Sequence, residues 1–215
     1  MNKLLDIYNK LLSHFGPQNW WPVTSANPEF EIIIGAILTQ NTAWSNVEKA
    51  IDNLRENKML GIRAIKNAEA GKLASVIRPS GYHNQKAKKL KNMAIFLERN
   101  PIGLLKKTEI RELRERLLGI NGVGPETADS IILYALKKPT FVVDAYTKRI
   151  FSRMGLIDKN ADYEEVKDFF EKNLPKDTNL FNEYHALIVA HGKNICKKRP
   201  LCHACPLNSV CKKRI

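Results

Sequence analysis

All four cysteines of this chain fall in one short segment, spaced Cys196-x5-Cys202-x2-Cys205-x5-Cys211. Four thiolates in one loop suit a compact [4Fe–4S] cube, whose irons each accept one sulfur. Zinc is the alternative, but structural zinc usually takes two close cysteine pairs separated by a longer arm, and only one close pair exists here. A second candidate is Asp144, which follows the apolar run Phe141-Val142-Val143. It can cap the next helix, and a carboxylate so placed can also stabilise positive charge on a sugar or orient a water. A third is Gly122-Val123-Gly124-Pro125, a tight turn before a helix. The glycines permit close backbone approach, and the helix N-terminal amides can hold a phosphate without reading sequence.

Charge points the same way. The 215 residues carry 35 Lys+Arg against 22 Asp+Glu, a formal net charge of +13. An excess of this size suggests a polyanionic partner. Seven Lys/Arg and no acid lie between Lys193 and the C-terminus, including Lys197, Lys198, Arg199 and the tail Lys212-Lys213-Arg214. A second basic run is Lys86, Lys88, Lys89 and Lys91, expected on the wet face of an amphipathic helix. The longest apolar stretch, Ile32 to Leu38, is far shorter than the roughly 18 residues of a membrane span. With no signal-peptide core near the N-terminus, an intracellular protein is expected.

The elements that position these groups read as helices almost throughout. Leu4, Leu5, Tyr8, Leu11, Leu12 and Phe15 follow helical spacing up to Gly16-Pro17. Phe30 to Leu54 reads as two helices parted near Gln40-Asn41-Thr42. Helical patterns follow around Leu60 to Ile65, Ala70 to Ile77, Gln85 to Leu97, Ile110 to Leu118 and Pro125 to Leu136. Tyr146 to Met154, Tyr163 to Leu174 and Leu180 to His191 complete the set. Thr140-Phe141-Val142-Val143 is the one short β-branched run. The class is all-α with short connections.

The hairpin, an aspartate about 20 residues beyond it and a C-terminal four-cysteine loop occur together in one family. The chain resembles the endonuclease III-like DNA glycosylases of the helix-hairpin-helix superfamily. Leu38-Thr39-Gln40-Asn41-Thr42 and Gly81-Tyr82-His83-Asn84-Gln85-Lys86-Ala87 look like that family's two duplex-probing loops, and Ala190-His191-Gly192 before the first cysteine fits as well. The resemblance implies two helical domains with a DNA cleft between them. Residues 24–136 would form a six-helix domain with the hairpin. Residues 1–23 and 137–215 would form the other, with the cluster loop at 196–211. It also implies base flipping and N-glycosidic cleavage on double-stranded DNA by a monomer. Asp144 would be the catalytic carboxylate. Gln40 and Tyr82, flanked by Asn41, His83 and Lys86, would fill the gap left by the extruded base. Gly122, Val123 and Gly124 would hold a phosphate, and Lys197, Lys198 and Arg199 would face others.

Two departures matter. Bifunctional members carry a lysine two positions after the second hairpin glycine, where it attacks the sugar to form a Schiff base. Here that position is Glu126, a second candidate carboxylate that cannot do so. Schiff-base strand cleavage is therefore not expected, and water is the expected nucleophile. The first cysteine gap is five residues where the family has six. Glu126, Trp20-Trp21-Pro22 and Trp44 are similar to the 3-methyladenine glycosylase branch, in which aromatic residues at these positions line the base pocket. Indole faces attract a flat, cationic alkylated purine by stacking and cation–π interaction. Trp20 and Trp21 can also be read as core residues that staple the domains together. A glycosylase of the same fold acting on mismatched thymine, uracil or an oxidised pyrimidine is the alternative. A non-catalytic DNA-binding module is the alternative of another class.

Overall fold

The computed structural model describes residues 2–23 and 25–213. Thr24, at the edge of the expected middle domain, and Arg214, in the basic tail, lie outside the described residues. The chain divides into two compact units, 23–138 and 1–22 with 139–215. Among the described residues there is no β-strand, and no helix is long and apolar enough to cross a membrane.

The middle unit is built around one apolar helix. Helix α1 (Lys3–Phe15) precedes it in sequence and belongs to the other unit; α2 (Pro28–Leu38) is the central one. Asn27 caps α2, Pro28 occupies its first turn, and every residue from Phe30 to Leu38 is buried. A helix apolar on all sides must be wrapped by others. The wrapping comes from α3 (Trp44–Glu56), α6 (His83–Arg99) and α9 (Pro125–Ser130), which runs on into a π-helical turn, Ile131–Ala135. Short helices α4 (Ile62–Asn67), α5 (Ala70–Val76), α7 (Ile102–Leu105) and α8 (Ile110–Leu118) complete the unit, with a 3-10 turn at Arg78–Ser80.

In the other unit, α10 (Ala145–Arg153), α11 (Tyr163–Asn173) and α12 (Thr178–Asn194) pack with α1. The Tyr184 hydroxyl donates to Leu4 O at 2.9 Å, which fastens α1 to α12. The β-branched run 140–143 stays extended and pairs with no strand. Its polar groups are met by α11 instead. Glu171 Oε1 accepts from Phe141 N at 2.8 Å and Thr140 Oγ1 at 3.2 Å, and the Tyr163 hydroxyl accepts from Val143 N at 3.4 Å. Phe141 stacks on Phe170 with centroids 4.0 Å apart. Burial on both flanks thus delivers the chain to Asp144 in a fixed direction.

Candidate active site and cysteine loop

Asp144 caps α10 through a capping box. Its Oδ1 accepts from Thr147 N at 2.7 Å and from Thr147 Oγ1 at 2.9 Å. Its other oxygen, Oδ2, faces His185 Nε2 of α12 at 3.7 Å. Burial alone would push this carboxyl up. The His185 imidazole, by hydrogen bonding and charge, and the Thr147 amide and hydroxyl outweigh it and hold the group below the usual aspartate value. Asp144 is therefore ionised although its side chain is only 12% exposed. No local sequence pattern announces His185 beside this carboxylate, because only the packing of α12 on α10 brings the two together.

The hairpin follows α8 in the middle unit. Gly122 has φ +97°, and a Cβ there would stand 2.3 Å from Lys89 Cγ. Both the conformation and the close approach of Lys89 require glycine. Above Gly124 the space is open, with no atom within 4 Å of where a Cβ would sit. Val123 departs from expectation. Its N–H donates inward to Ile120 O at 3.0 Å and its side chain is buried, so it shapes the turn and has no amide to offer a phosphate. Beneath the turn, Arg114 grips the fully buried Asp129 through two bonds, Nε–Oδ1 at 2.9 Å and Nη2–Oδ2 at 3.2 Å. Glu126 is exposed in the first turn of α9.

The two loops expected to probe a duplex flank this hairpin within the same unit. Their tips, Asn41 and Tyr82, have φ +52° and +45°. Left-handed backbone is tolerable for asparagine and costly for tyrosine, so the Tyr82 loop stores strain. Tyr82 is 65% exposed; Asn41 is exposed and His83 half-buried. Gln40 is tied down. Its Nε2 donates to Gly122 O at 3.1 Å and Thr127 Oγ1 at 2.9 Å, while its Oε1 accepts from Lys89 Nζ at 2.5 Å. Lys86 corrects the wet-face expectation. It is 2% exposed, and its Nζ donates to Leu38 O and Ser80 O, each at 2.7 Å. It therefore joins the roots of both loops and is not a surface phosphate contact. Burial, with the nearby Lys89 charge, lowers its pKa to about 8.

Trp20 and Trp21 lie half-buried in the segment after α1, their ring centroids 5.2 Å apart and tilted by 47°. That segment is anchored by Gln18 N donating to Glu183 Oε1 of α12 at 2.7 Å. Pro22 is exposed; Trp44 opens α3 in the middle unit and is half-buried.

Cys196, Cys202, Cys205 and Cys211 are all free thiols and half-buried. They line one small pocket, partly open to solvent, whose other walls include Ile150, Met154, Ile195 and Leu207. Burial and, more weakly, the three other cysteines raise the Cys205 thiol, which marks the four as one group. Among the described residues no group of His, Cys, Asp or Glu is arranged to hold a metal ion. Helix α10 supports the loop: Arg149 Nε donates to Cys196 O at 2.9 Å, and Arg153 donates to Lys197 O at 2.6 Å and Lys198 O at 3.0 Å. Arg153 Nη1 also lies 3.4 Å from Cys196 Sγ. Lys197, Lys198 and Arg199 project outward, exposed.

A turn-bearing helix pair tied to the Gln40 loop, and a capped aspartate on a helix that supports a cysteine loop, are the features this all-helical chain offers for comparison. Residues 34–176 match the model of the HhH-GPD superfamily of base excision DNA repair proteins, and the chain belongs to that superfamily. A candidate DNA repair glycosylase of Methanocaldococcus jannaschii is 52% identical over 212 residues, covering 97% of this chain and 95% of its own. The crystal structure of Helicobacter pylori 3-methyladenine DNA glycosylase bound to 1,N6-ethenoadenine has a TM-score of 0.76 at 31% identity, covering 88% of this chain and 97% of its own. A non-covalent endonuclease III–DNA complex has a TM-score of 0.82 at 23% identity, covering 99% and 97%, which establishes the endonuclease III-like fold.

Proposed function

We propose that this chain is a monofunctional DNA glycosylase that releases an alkylated purine, such as 3-methyladenine, by hydrolysis. DNA glycosylase activity in base excision repair follows from the family. The observation that carries the finer reading is the pairing of an ionised, buried Asp144 with Glu126 where a Schiff base would need lysine. In this reading the C1′–N bond of the extruded nucleotide breaks and its electron pair leaves with the base. Asp144 stabilises the positive charge left on the sugar. A water oxygen then bonds to C1′ and loses its proton to the carboxylate or to solvent. An alkylated purine is already cationic, so its departure as a neutral base needs little acid catalysis. Trp20, Trp21 and Trp44 offer the indole faces such a base prefers. The 31% identical neighbour is named as a 3-methyladenine glycosylase, which supports that choice.

Double-stranded DNA is the partner, bound by the monomer. The Gly122–Gly124 turn and exposed Lys197, Lys198 and Arg199 are its phosphate contacts. Tyr82, already exposed, is the residue that enters the duplex. Gln40 must exchange its three hydrogen bonds to follow. The four cysteines would hold a [4Fe–4S] cluster. Thiols set around a cavity suit a cube with one sulfur per iron better than one zinc ion at a point. When bound, the cluster supplies structural cross-linking that fixes the basic loop.

The test is a panel of duplexes with purified protein: methylated DNA, uracil, thymine opposite guanine, and thymine glycol. Release of free 3-methyladenine, lost in Asp144→Asn by at least about 100-fold, supports the reading. Release of a pyrimidine alone overturns the substrate, and no release from any duplex leaves a binding module. A borohydride-trapped adduct overturns the hydrolytic mechanism.

A further inference from the structure

We propose that His185 is a positioning residue for Asp144, fixing the carboxylate oxygen that the helix cap leaves over and stabilising its negative charge. The proposal rests on the reading of Asp144 as the catalytic carboxylate. Its geometry is independent of that reading. Thr147 takes Oδ1 twice, through its amide and its hydroxyl. This leaves Oδ2 as the oxygen available to a sugar or a water, and His185 Nε2 stands 3.7 Å from it. Both side chains are nearly enclosed, at 10% and 12% exposure, so the imidazole acts in a medium that screens charge weakly.

Several other polar groups on the two helices are committed elsewhere. On α10, Lys148 Nζ donates to Ala161 O at 2.8 Å, and Arg149 donates to Cys196 O and Gly192 O, each at 2.9 Å, while lying over the Tyr146 ring. On α12, Glu183 accepts from Gln18 N and the Tyr184 hydroxyl donates to Leu4 O. From α1, Tyr8 packs edge-on against Tyr184. The groups that act on the Asp144 carboxyl are Thr147, from its own helix, and His185 from α12. Thr147 is a fixed dipole pair that any capping aspartate would have. His185 is what distinguishes this carboxylate from an ordinary cap.

The consequence is a shift in pH dependence. Without the imidazole, burial acts on Asp144 with only the cap opposing it, and the carboxyl takes up a proton at higher pH. The experiment measures single-turnover release of methylated bases from alkylated duplex DNA across roughly pH 5 to 8. It compares wild type, His185→Phe, His185→Gln and Asp144→Asn. His185→Phe is expected to move the acid limb up by about one pH unit, about tenfold in rate on that limb, with the alkaline plateau within about threefold of wild type. His185→Gln, which keeps an N–H donor, should recover part of that shift. His185→Leu replaces the phenylalanine variant if the larger ring prevents folding. Acid limbs that superimpose on wild type, or a plateau lowered with its limb unmoved, overturn the proposal while Asp144→Asn remains inactive. If Asp144→Asn instead releases bases at the wild-type rate, the reading of Asp144 fails and takes this one with it.

Discussion

The hairpin and the cysteine loop are both irregular segments that carry basic or amide groups outward, yet they are held in opposite ways. The hairpin is held by protein. Asn121 O accepts from Asn92 Nδ2, Gly122 O from Gln40, and Ile120 and Val123 are buried beneath, with the Arg114–Asp129 pair under them. The cysteine loop has Leu207 and Ile195 as its buried apolar side chains, a series of short turns, and two arginines from α10. At its centre is a cavity. One segment is packed as folded protein; the other surrounds a pocket. If the proposed cluster occupies that pocket, the hairpin should survive its loss, while the basic loop should not.

That contrast sets the largest expected effect. If the four cysteines hold the proposed cluster, Cys205→Ser, or chelation under oxidising conditions, should bleach visible absorbance and destabilise the unit by at least about 5 kcal/mol, since ligation free energy is folding free energy. Limited proteolysis should then cut near Lys197–Arg199 and spare Gly119–Pro125. Equal protection of both segments would break the comparison. Next in size is Arg114→Ala. It removes the two-bond grip on a fully buried carboxylate and should cost about 3 kcal/mol in urea unfolding. A double Arg114→Met, Asp129→Leu variant should recover most of that, because the charge no longer needs a partner.

The sequence carried the scaffold further than the contacts. Helical periodicity placed the long helices because each buries one continuous stripe, and Gly16-Pro17 marked where the first one ends. The short α7 and the 3-10 turn at Cys202–Ala204 went unread, being too brief for a 3.6-residue period to show. The β-branched run 140–143 stays extended, and the donors and acceptors of α11 meet its polar groups. Spacing grouped the cysteines and set Asp144 at a helix start. It could not reveal His185 opposite Asp144, or that Gln40 and Lys89 are joined across Gly122, since these meetings depend on tertiary packing.

Gly122→Ala probes the hairpin's dependence on protein contacts more gently. The new methyl group meets the Lys89 stem at a left-handed residue, and the expected cost is about 1–3 kcal/mol. The clash is with Lys89 Cγ, near the root of the side chain, so relieving it moves the whole lysine and takes its Nζ from Gln40. Affinity for an abasic-site duplex should fall with stability. Lys89→Met combined with Gly122→Ala should add less than the sum of the two, because both break the same link.

The smallest effect lies at Lys86, and its sign is diagnostic. The folded chain lowers this lysine to about 8, from its ordinary value of 10.5, because burial disfavours the charged form. Between those two pH values the unfolded chain binds more protons, so this group makes stability rise with pH; below about 8 the penalty is present in full. A neutral amine still has two N–H groups, enough for Leu38 O and Ser80 O, so deprotonation relieves burial without releasing either loop. Urea unfolding of wild type and Lys86→Met near pH 7.5, 8.5 and 9.5 should show wild type gaining about 1 kcal/mol relative to the variant over that range. A difference that stays flat, or shrinks as pH rises, would mean that the ammonium is not penalised by its burial. The hairpin side of the molecule would then owe its rigidity to the charge of Lys86 as well as to its hydrogen bonds.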